Sequence, residues 1–270
     1  MNDYFQFKKF TVRQSQTAMK VGTDGVLLGA WAELTAASSI LDIGTGTGLL
    51  ALMAAQRNTK AHIDAVEIDF MAYQQAVENV AQSPWKNSIS VFHLSIFDFF
   101  PSRLYEHILC NPPFFVSSTP APLPNRTLAR HCQDFTHEDL LKAAERLLLP
   151  QGKFSLILPC QEADELIAKA KSLNLYLSRI TRVLPTPQKA PKRKLLEFSR
   201  IEKTIAVNDI VVEFSRHQYS PEYICLTREF YLNSTTKGFS RIIFKLINKK
   251  TGFAPVFCEN CTNSAIRLTF

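Results

Sequence analysis

Residues Ile40-Leu41-Asp42-Ile43-Gly44-Thr45-Gly46-Thr47-Gly48-Leu49-Leu50 constrain the fold of this chain more than any other stretch. A short apolar run closes on three glycines at two-residue spacing and opens into Ala51-Leu52-Met53-Ala54-Ala55. That is the pattern of a buried strand, a tight turn and a helix. Glycine is required in such a turn where φ must be positive and where a ligand is to touch backbone, and the helix that follows presents unpaired N–H groups. The stretch therefore predicts the first β-α unit of a nucleotide-binding α/β sheet. A dinucleotide fingerprint, Gly-x-Gly-x-x-Gly, would need glycine where Leu49 stands, and a phosphate-cradling loop would need a Lys-Ser/Thr pair that is absent.

The run from Asp42 through Gly44, Gly46 and Gly48 resembles the S-adenosylmethionine (SAM) turn of seven-stranded methyltransferases, whose ligand has no pyrophosphate to neutralise. The resemblance implies an α/β, Rossmann-like sheet of seven strands, with cofactor contacts from Asp42 and the three glycines. Downstream, His62 to Glu67 reads as the second strand. Its terminal carboxylate is placed to accept both hydroxyls of a ribose, because the ends of neighbouring parallel strands lie side by side above the sheet. Asp69 is expected to cap a helix reaching Gln82, with Ala72, Ala76, Val77 and Val80 inward. Beyond a third strand, Ile89 to His93, the adenine edge of SAM should meet a polar side chain, either Ser95 or, with a register shift, Asp98. Upstream, residues 4 to 13 predict an edge strand or hairpin arm. Thr23 or Asp24 can then cap a short helix with Val26, Leu27, Ala30 and Trp31 on one face. Two roles fit this helix: packing over the sheet edge, or a lid across the SAM pocket with Lys20, Thr23 and Asp24 as polar contacts.

Tyr105 to Cys110 predicts a fourth strand, which delivers Asn111-Pro112-Pro113-Phe114-Phe115. Two consecutive prolines fix φ twice and force a rigid, extended exit. The exocyclic amine of adenine is a poor nucleophile because its lone pair is delocalised into the ring. If the Asn111 side-chain oxygen and a backbone carbonyl at Asn111 or Pro112 accept its hydrogens, the nitrogen rehybridises and its lone pair is aimed at the sulfonium methyl. Phe114 can stack on an extruded base for about 1–3 kcal/mol. Asn111, Pro112 and Phe114 are thus the expected catalytic residues. The proline-rich stretch 116 to 134, with Arg126, Arg130 and His131, is expected to be a substrate loop. His131 fits phosphate or base contact, and equally a plain surface histidine.

Thr136 should cap a helix with Leu140, Leu141, Ala144, Leu147 and Leu148 toward the core. A fifth strand (Gly152 to Leu158), a helix (Glu162 to Leu173) and a sixth strand (Leu175 to Val183) follow, and Leu195 to Ser199 makes a seventh. Strands 6 and 7 joined in this way predict an antiparallel hairpin. Its tip carries Lys189, Lys192, Arg193 and Lys194 with no acid among them, on the rim expected for Asn111, and so predicts phosphate contact. The net charge of +7 adds little to that argument. The tail from Ser234 holds Lys237, Arg241, Lys245, Lys249, Lys250 and Arg267 against Glu259, so most of the excess lies there. Residues 1–233 are expected to form one methyltransferase domain, with 1–35 as arm and lid and 36–233 as Rossmann-like core; 234–270 would be a basic tail of unknown role. A closing helix should run from Ser220 to Leu232. The six scattered cysteines suit reduced thiols in a cytoplasm, and the Cys258–Cys261 spacing lacks the second pair that a structural zinc needs. No apolar run approaches membrane-spanning length, and the first ten residues, alternating polar and apolar, are not expected to form a signal peptide.

These residues together resemble a known family: the bacterial tRNA adenine-N6 methyltransferases that modify the adenine next to the anticodon of a valine tRNA. The resemblance rests on Met19 to Gly25 with Leu28 to Trp31, on Leu41 to Gly48, on Glu67, and on Asn111 to Phe114. It continues through Arg126 to His131, the Lys-Pro-Lys-Arg hairpin and Tyr219 to Tyr223, and spans residues 5 to about 233. It implies SAM as methyl donor and tRNA as substrate, the latter contacted by Arg126, Arg130, His131 and the hairpin cations. It also implies no metal; with no membrane-length apolar run, no membrane partner is expected, and a cytoplasmic monomer is expected. Two features depart from the family pattern: the acidic residue usual after the third strand is not fixed here, and the tail from Ser234 has no recognisable counterpart. Enzymes that methylate a glutamine amide of release factors share the Asn-Pro-Pro-aromatic tetrapeptide. They usually carry a separate N-terminal helical domain, whereas 39 residues precede Ile40 here. A non-catalytic RNA-binding protein of the same fold is disfavoured by the intact Asn111 and Glu67.

Overall fold

The computed structural model describes residues 3–17, 19–113 and 135–232. Phe114, Arg126, Arg130, His131 and the tail from 234 lie outside the described residues. An antiparallel arm comes first, β1 (Tyr4–Gln6) and β2 (Thr11–Arg13), followed by α1 (Thr23–Trp31). The β-α units are then β3 (Ser39–Ile43), α2 (Leu49–Arg57), β4 (His62–Glu67), α3 (Phe70–Ala81), β5 (Ile89–His93) and β6 (Tyr105–Cys110). After the undescribed stretch come α4 (His137–Leu147), β7 (Leu148–Pro159), α5 (Cys160–Ala170), β8 (Tyr176–Leu184) and β9 (Arg193–Ser199). The described chain closes with β10 (Ala206–Val211), a small β11 (Glu213–Ser215) and β12 (Gln218–Tyr219) pair, and α6 (Pro221–Thr227).

The central sheet has the strand order β10-β8-β9-β7-β6-β3-β4-β5. Strands β3 to β7 run parallel, and β9 is antiparallel to both β7 and β8, which is the expected hairpin. Sequence predicted seven strands; the sheet carries an eighth, β10, parallel to β8. Ile205 to Val212 is rich in β-branched residues, but Asn208 and Asp209 interrupt the alternation, and only Ile210 of β10 is buried. An edge strand of this kind leaves a weak periodic signal.

Alternate residues of each strand feed two cores. Ile40, Ile63, Leu109 and Ile157 pack with α1 and α2, while Leu41, Val66, Ile108 and Leu156 pack with α4 and α5. Val26, Leu27 and Leu28 of α1 are fully buried. Each such side chain is worth about 1.5–3 kcal/mol, so the body of α1 is a core element that cannot swing open as a lid. Only its first turn remains at the rim. Its N-cap is Gly22, without a side-chain cap, in place of the predicted Thr23 or Asp24.

Helix α3 is capped by the Asp69 carboxylate as predicted, but Val77 is 39% exposed and the inward positions are instead Ala72, Gln75, Ala76, Asn79 and Val80. The two buried amides have partners in the N-terminal arm, which is why polar residues occupy core-facing spacing. Asn79 exchanges hydrogen bonds with the Arg13 main chain, and Gln75 Oε1 accepts from Ser15 Oγ and the Gln16 N–H. The arm also bridges the far end of the described chain, Phe7 to Tyr231, with Phe5, Phe7 and Tyr231 rings in contact. Helix α6 ends at Thr227, earlier than expected. Of the described cysteines, Cys110 and Cys160 carry free thiols and Cys225 does not, which corrects the expectation of reduced thiols throughout.

Candidate functional site

Strand order reverses between β3 and β6, so their carboxyl ends flank the crevice in which open α/β sheets bind ligands. The glycine turn leaves β3 and Asn111 follows β6. Adjacent strands place these two features about 5 Å apart in the pairing direction.

All three turn glycines adopt the left-handed region, with φ of 68° at Gly44, 57° at Gly46 and 83° at Gly48. A Cβ added at Gly44 or Gly46 would meet nothing within 4 Å, so both face open space with bare backbone. The turn is fixed from below. Gly44 N–H and Thr45 N–H donate to the Val66 carbonyl at 2.9 and 3.1 Å, and Asn79 Nδ2 donates to the Thr47 carbonyl at 2.9 Å. Asn79, which sequence reasoning did not single out, thus ties the turn to the arm. Its only signal was a polar residue at core-facing helical spacing.

Asp42 lies beneath this turn with no exposed surface. Its Oδ2 accepts the Thr45 hydroxyl at 2.5 Å and the Ala51 N–H at 3.2 Å, so the carboxylate completes the first turn of α2. Its Oδ1 has no partner among the described residues. Burial, only partly offset by those two bonds and reinforced by the negative charge of Glu67, pushes the Asp42 pKa up to about 7. Asp42 therefore shapes the turn from within and does not present itself at the surface as a ligand contact.

Glu67 ends β4 and is 8% exposed. Its Oε2 accepts the Gly46 N–H at 2.8 Å and its Oε1 the Asp69 N–H at 2.9 Å. Burial raises its pKa, with main-chain N–H donors acting against that shift. A carboxylate has about four lone-pair sites, so with the Gly46, Asp69 and Ile68 main-chain groups bonded to it Glu67 keeps capacity for a hydroxyl donor. Bare glycine backbone facing open space beside a buried carboxylate matches a nucleoside with vicinal hydroxyls, and the residues present fit SAM.

Asn111 is half-buried, Pro112 buried and Pro113 exposed. The Asn111 amide makes no hydrogen bond among the described residues, and its Nδ2 lies 3.6 Å from where a Cβ on Gly25 would stand. The same Cβ would sit 2.9 Å from Leu49 Cδ2, so the absence of a side chain at Gly25 lets the first turn of α1 rest on both α2 and the tetrapeptide. Burial, then the charges of Asp42 and Glu67, pushes the Cys110 thiol pKa up, so the residue before Asn111 stays protonated and is no nucleophile.

The remaining expected contacts divide. Lys20 Nζ donates to the Gln14 carbonyl at 2.8 Å, which commits it to the arm. Ser95 caps a 3-10 turn at Ile96–Asp98 just beyond β5. Asp98 instead lines a cleft of about 420 Å3 with His62, Asp64, Phe92 and Arg103, which contains none of the turn residues. At the hairpin, Lys189 and Lys192 are exposed. Arg193 Nε donates to Asp24 Oδ2 at 2.8 Å, and Lys194 Nζ to Asp164 Oδ1 at 2.5 Å. The cluster that has no acid in sequence is therefore half neutralised in space by residues of α1 and α5. Thr23 is exposed at the rim of a cleft of about 210 Å3 that also includes Asp24, Lys192 and Arg193. Among the described residues no group of three or more His, Cys, Asp or Glu could hold a metal ion, and no helix is long and apolar enough to cross a membrane.

Comparison with known proteins places these features in a lineage. The Methyltransferase small domain family matches residues 15–170. A protein of Phocaeicola vulgatus named tRNA1(Val) (adenine(37)-N6)-methyltransferase is 47% identical over 86% of this chain and 99% of its own length. A Flavobacterium johnsoniae protein of the same name is 48% identical over 84% of this chain and 99% of its own. Among solved structures, a predicted O-methyltransferase from Agrobacterium tumefaciens superposes with a TM-score of 0.59 at 20% identity, covering 77% of this chain and 96% of that one. It shares the fold.

Proposed function

The chain belongs to the family of tRNA1(Val) (adenine(37)-N6)-methyltransferases, and from that premise we propose that it transfers a methyl group from SAM to the N6 amine of adenine 37 in a valine tRNA. The observation that carries this reading is the Asn111 amide, without a hydrogen bond among the described residues, at the end of the strand next to the glycine turn. Bound SAM supplies an electrophilic methyl group on a sulfonium. The main chain at Gly44 and Gly46 would hold its amino-acid and ribose portions, Glu67 the ribose hydroxyls, and Ser95 its adenine edge. Asp42 keeps the turn in shape and Pro112 fixes the direction in which Asn111 leaves β6.

The protein's own task is to make a weak nucleophile attack. Asn111 Oδ1 accepts one N6 hydrogen and a main-chain carbonyl of the tetrapeptide accepts the other, drawing the nitrogen lone pair out of ring conjugation. Held in this way, N6 would be ready to take the methyl group that bound SAM would supply, and the proton it gives up would pass to solvent. Phe114 would stack on the extruded base, and Arg126, Arg130 and His131 would meet the RNA. Lys189 and Lys192, both exposed, would face phosphate, whereas Arg193 and Lys194 are engaged within the protein. Residues 1–233 would make up the catalytic unit, supported by relatives that align over 232 residues at 99% of their own length. A cytoplasmic location follows from a tRNA substrate.

A glutamine amide offers the same planar NH2, but the relatives' names favour adenine. The test is incubation of the protein with methyl-labelled SAM and total tRNA, or with total protein, followed by nucleoside and amino-acid analysis. Label in N6-methyladenosine is expected; label only in protein as N5-methylglutamine would overturn the reading.

A further inference from the structure

We propose that Asp24 and Arg193 are a positioning pair, an ion pair that docks the hairpin onto α1 and so holds the Asn111 amide in register with the glycine turn. The proposal rests on Asn111 being the group that meets the target amine. Arg193 is the first residue of β9 and is paired on both sides, to Pro159 of β7 and Val183 of β8. Its backbone therefore belongs to the rigid sheet. Asp24 sits in the first turn of α1, just ahead of the buried Gly25 and Val26, in a helix start that has no side-chain cap. The two side chains meet with 27% and 25% exposure, in a cleft walled by Leu27, Val183, Pro185 and Val212. An ion pair this far desolvated, with one partner anchored on both sides, constrains geometry more than an exposed pair does. Directly after Asp24 comes Gly25, the position on which Asn111 and Leu49 rest. The sheet thus reaches the catalytic amide by a second route, through Arg193, Asp24 and Gly25, besides the strand β6 that carries it.

The test uses the full chain and Asp24→Asn, Arg193→Gln and the double variant, with Arg193→Lys as a milder probe that retains the charge. The first readout needs no RNA: the Asn111 side-chain NH2 resonances, identified by their loss in Asn111→Ala. These should shift in each single variant and shift no further in the double, the non-additive behaviour of two groups acting as one. The second readout is turnover on tRNA. Asp24→Asn should lower kcat about tenfold or more while leaving the SAM dissociation constant and the tRNA KM within threefold, and the double variant should be no slower than the slower single. Arg193→Lys should recover part of the loss. Unmoved Asn111 resonances in both single variants would overturn the proposal. So would a pattern in which Arg193→Gln raises only the tRNA KM and Asp24→Asn leaves kcat untouched, because Arg193 would then be a plain phosphate contact. If the wild-type protein methylates no tRNA, the substrate reading fails, and the resonance experiment still decides the positioning role.

Discussion

The cofactor turn and the basic hairpin are both rim features of one sheet, yet they are built in opposite ways. At the turn, the glycines and carboxylates that shape it are close in sequence, and Asn79, 32 residues from Thr47, adds one tie from farther away. Asp42 binds Thr45 and Ala51, Gly46 binds Glu67 of the next strand, and three positive φ angles follow directly from three glycines. At the hairpin, the decisive partners are remote: Asp24 is 169 residues from Arg193, and Asp164 is 30 from Lys194. Backbone chemistry that closes over a few residues can be read from a sequence. Charge balance cannot, because an apparently unopposed cationic run has whichever acids the tertiary fold brings to it.

The contrast can be broken from the turn side first, where effects should be largest. Gly46→Val puts a β-branched residue at φ 57° and fills the space that the bare backbone faces. SAM affinity should fall by about two to three decades, measured by calorimetry; a loss under threefold would mean that the turn is not the cofactor cradle. Glu67→Ala removes charge-assisted bonds worth about 1.5–3 kcal/mol and should weaken SAM by roughly one to two decades. An unchanged dissociation constant would move the ribose site elsewhere.

On the hairpin side the expected effect is smaller and unequal. Reversing Lys189 and Lys192 to Glu should weaken tRNA binding and flatten its salt dependence by about one log–log unit for each phosphate that is no longer neutralised. Reversing Lys194 alone should leave the slope unchanged, since Asp164 already neutralises it. Equal flattening from Lys192 and Lys194 would erase the distinction between exposed and engaged cations.

The smallest effect sharpens the role of Asp42. Its carboxyl keeps its proton in the fold up to about pH 7 but releases it near 3.8 when exposed. Across that window the native state binds more protons than the unfolded state, so stability falls as pH rises. Asp42→Asn should abolish that part of the slope, seen as Tm curves for wild type and variant that diverge between pH 4 and 7. Parallel curves would show that Asp42 ionises freely within the turn.

How far the fold was legible follows the same division. Strands β3 to β6 and β8 and helices α2 to α5 fall close to where periodicity and caps place them, because each has an apolar face or a capping side chain; β7 instead begins at Leu148, expected in the preceding helix, and β9 at Arg193, expected at the hairpin tip. The cap of α1 was misplaced because Gly22 provides no side-chain signal, and β10 was missed because its outward residues include Val207, 58% exposed, so polarity does not mark its faces. Among site residues, Gly46 and Glu67 are brought together by a hydrogen bond, while Gly48 rests against Ala76 of α3. Lys20 and Asp98 are drawn elsewhere, by a carbonyl of the arm and by a second cleft that only the tertiary arrangement creates.

The central claim is that Asn111 acts on the target amine and not on the cofactor. Single-turnover methylation of tRNA by Asn111→Ala, beside a SAM titration of the same variant, tests it most directly. Loss of one hydrogen-bonding group used mainly in the transition state costs about two to three decades. Methylation should therefore fall by that factor while SAM affinity stays within a few-fold. Full activity in Asn111→Ala, or a loss that tracks weakened SAM binding, would contradict the account.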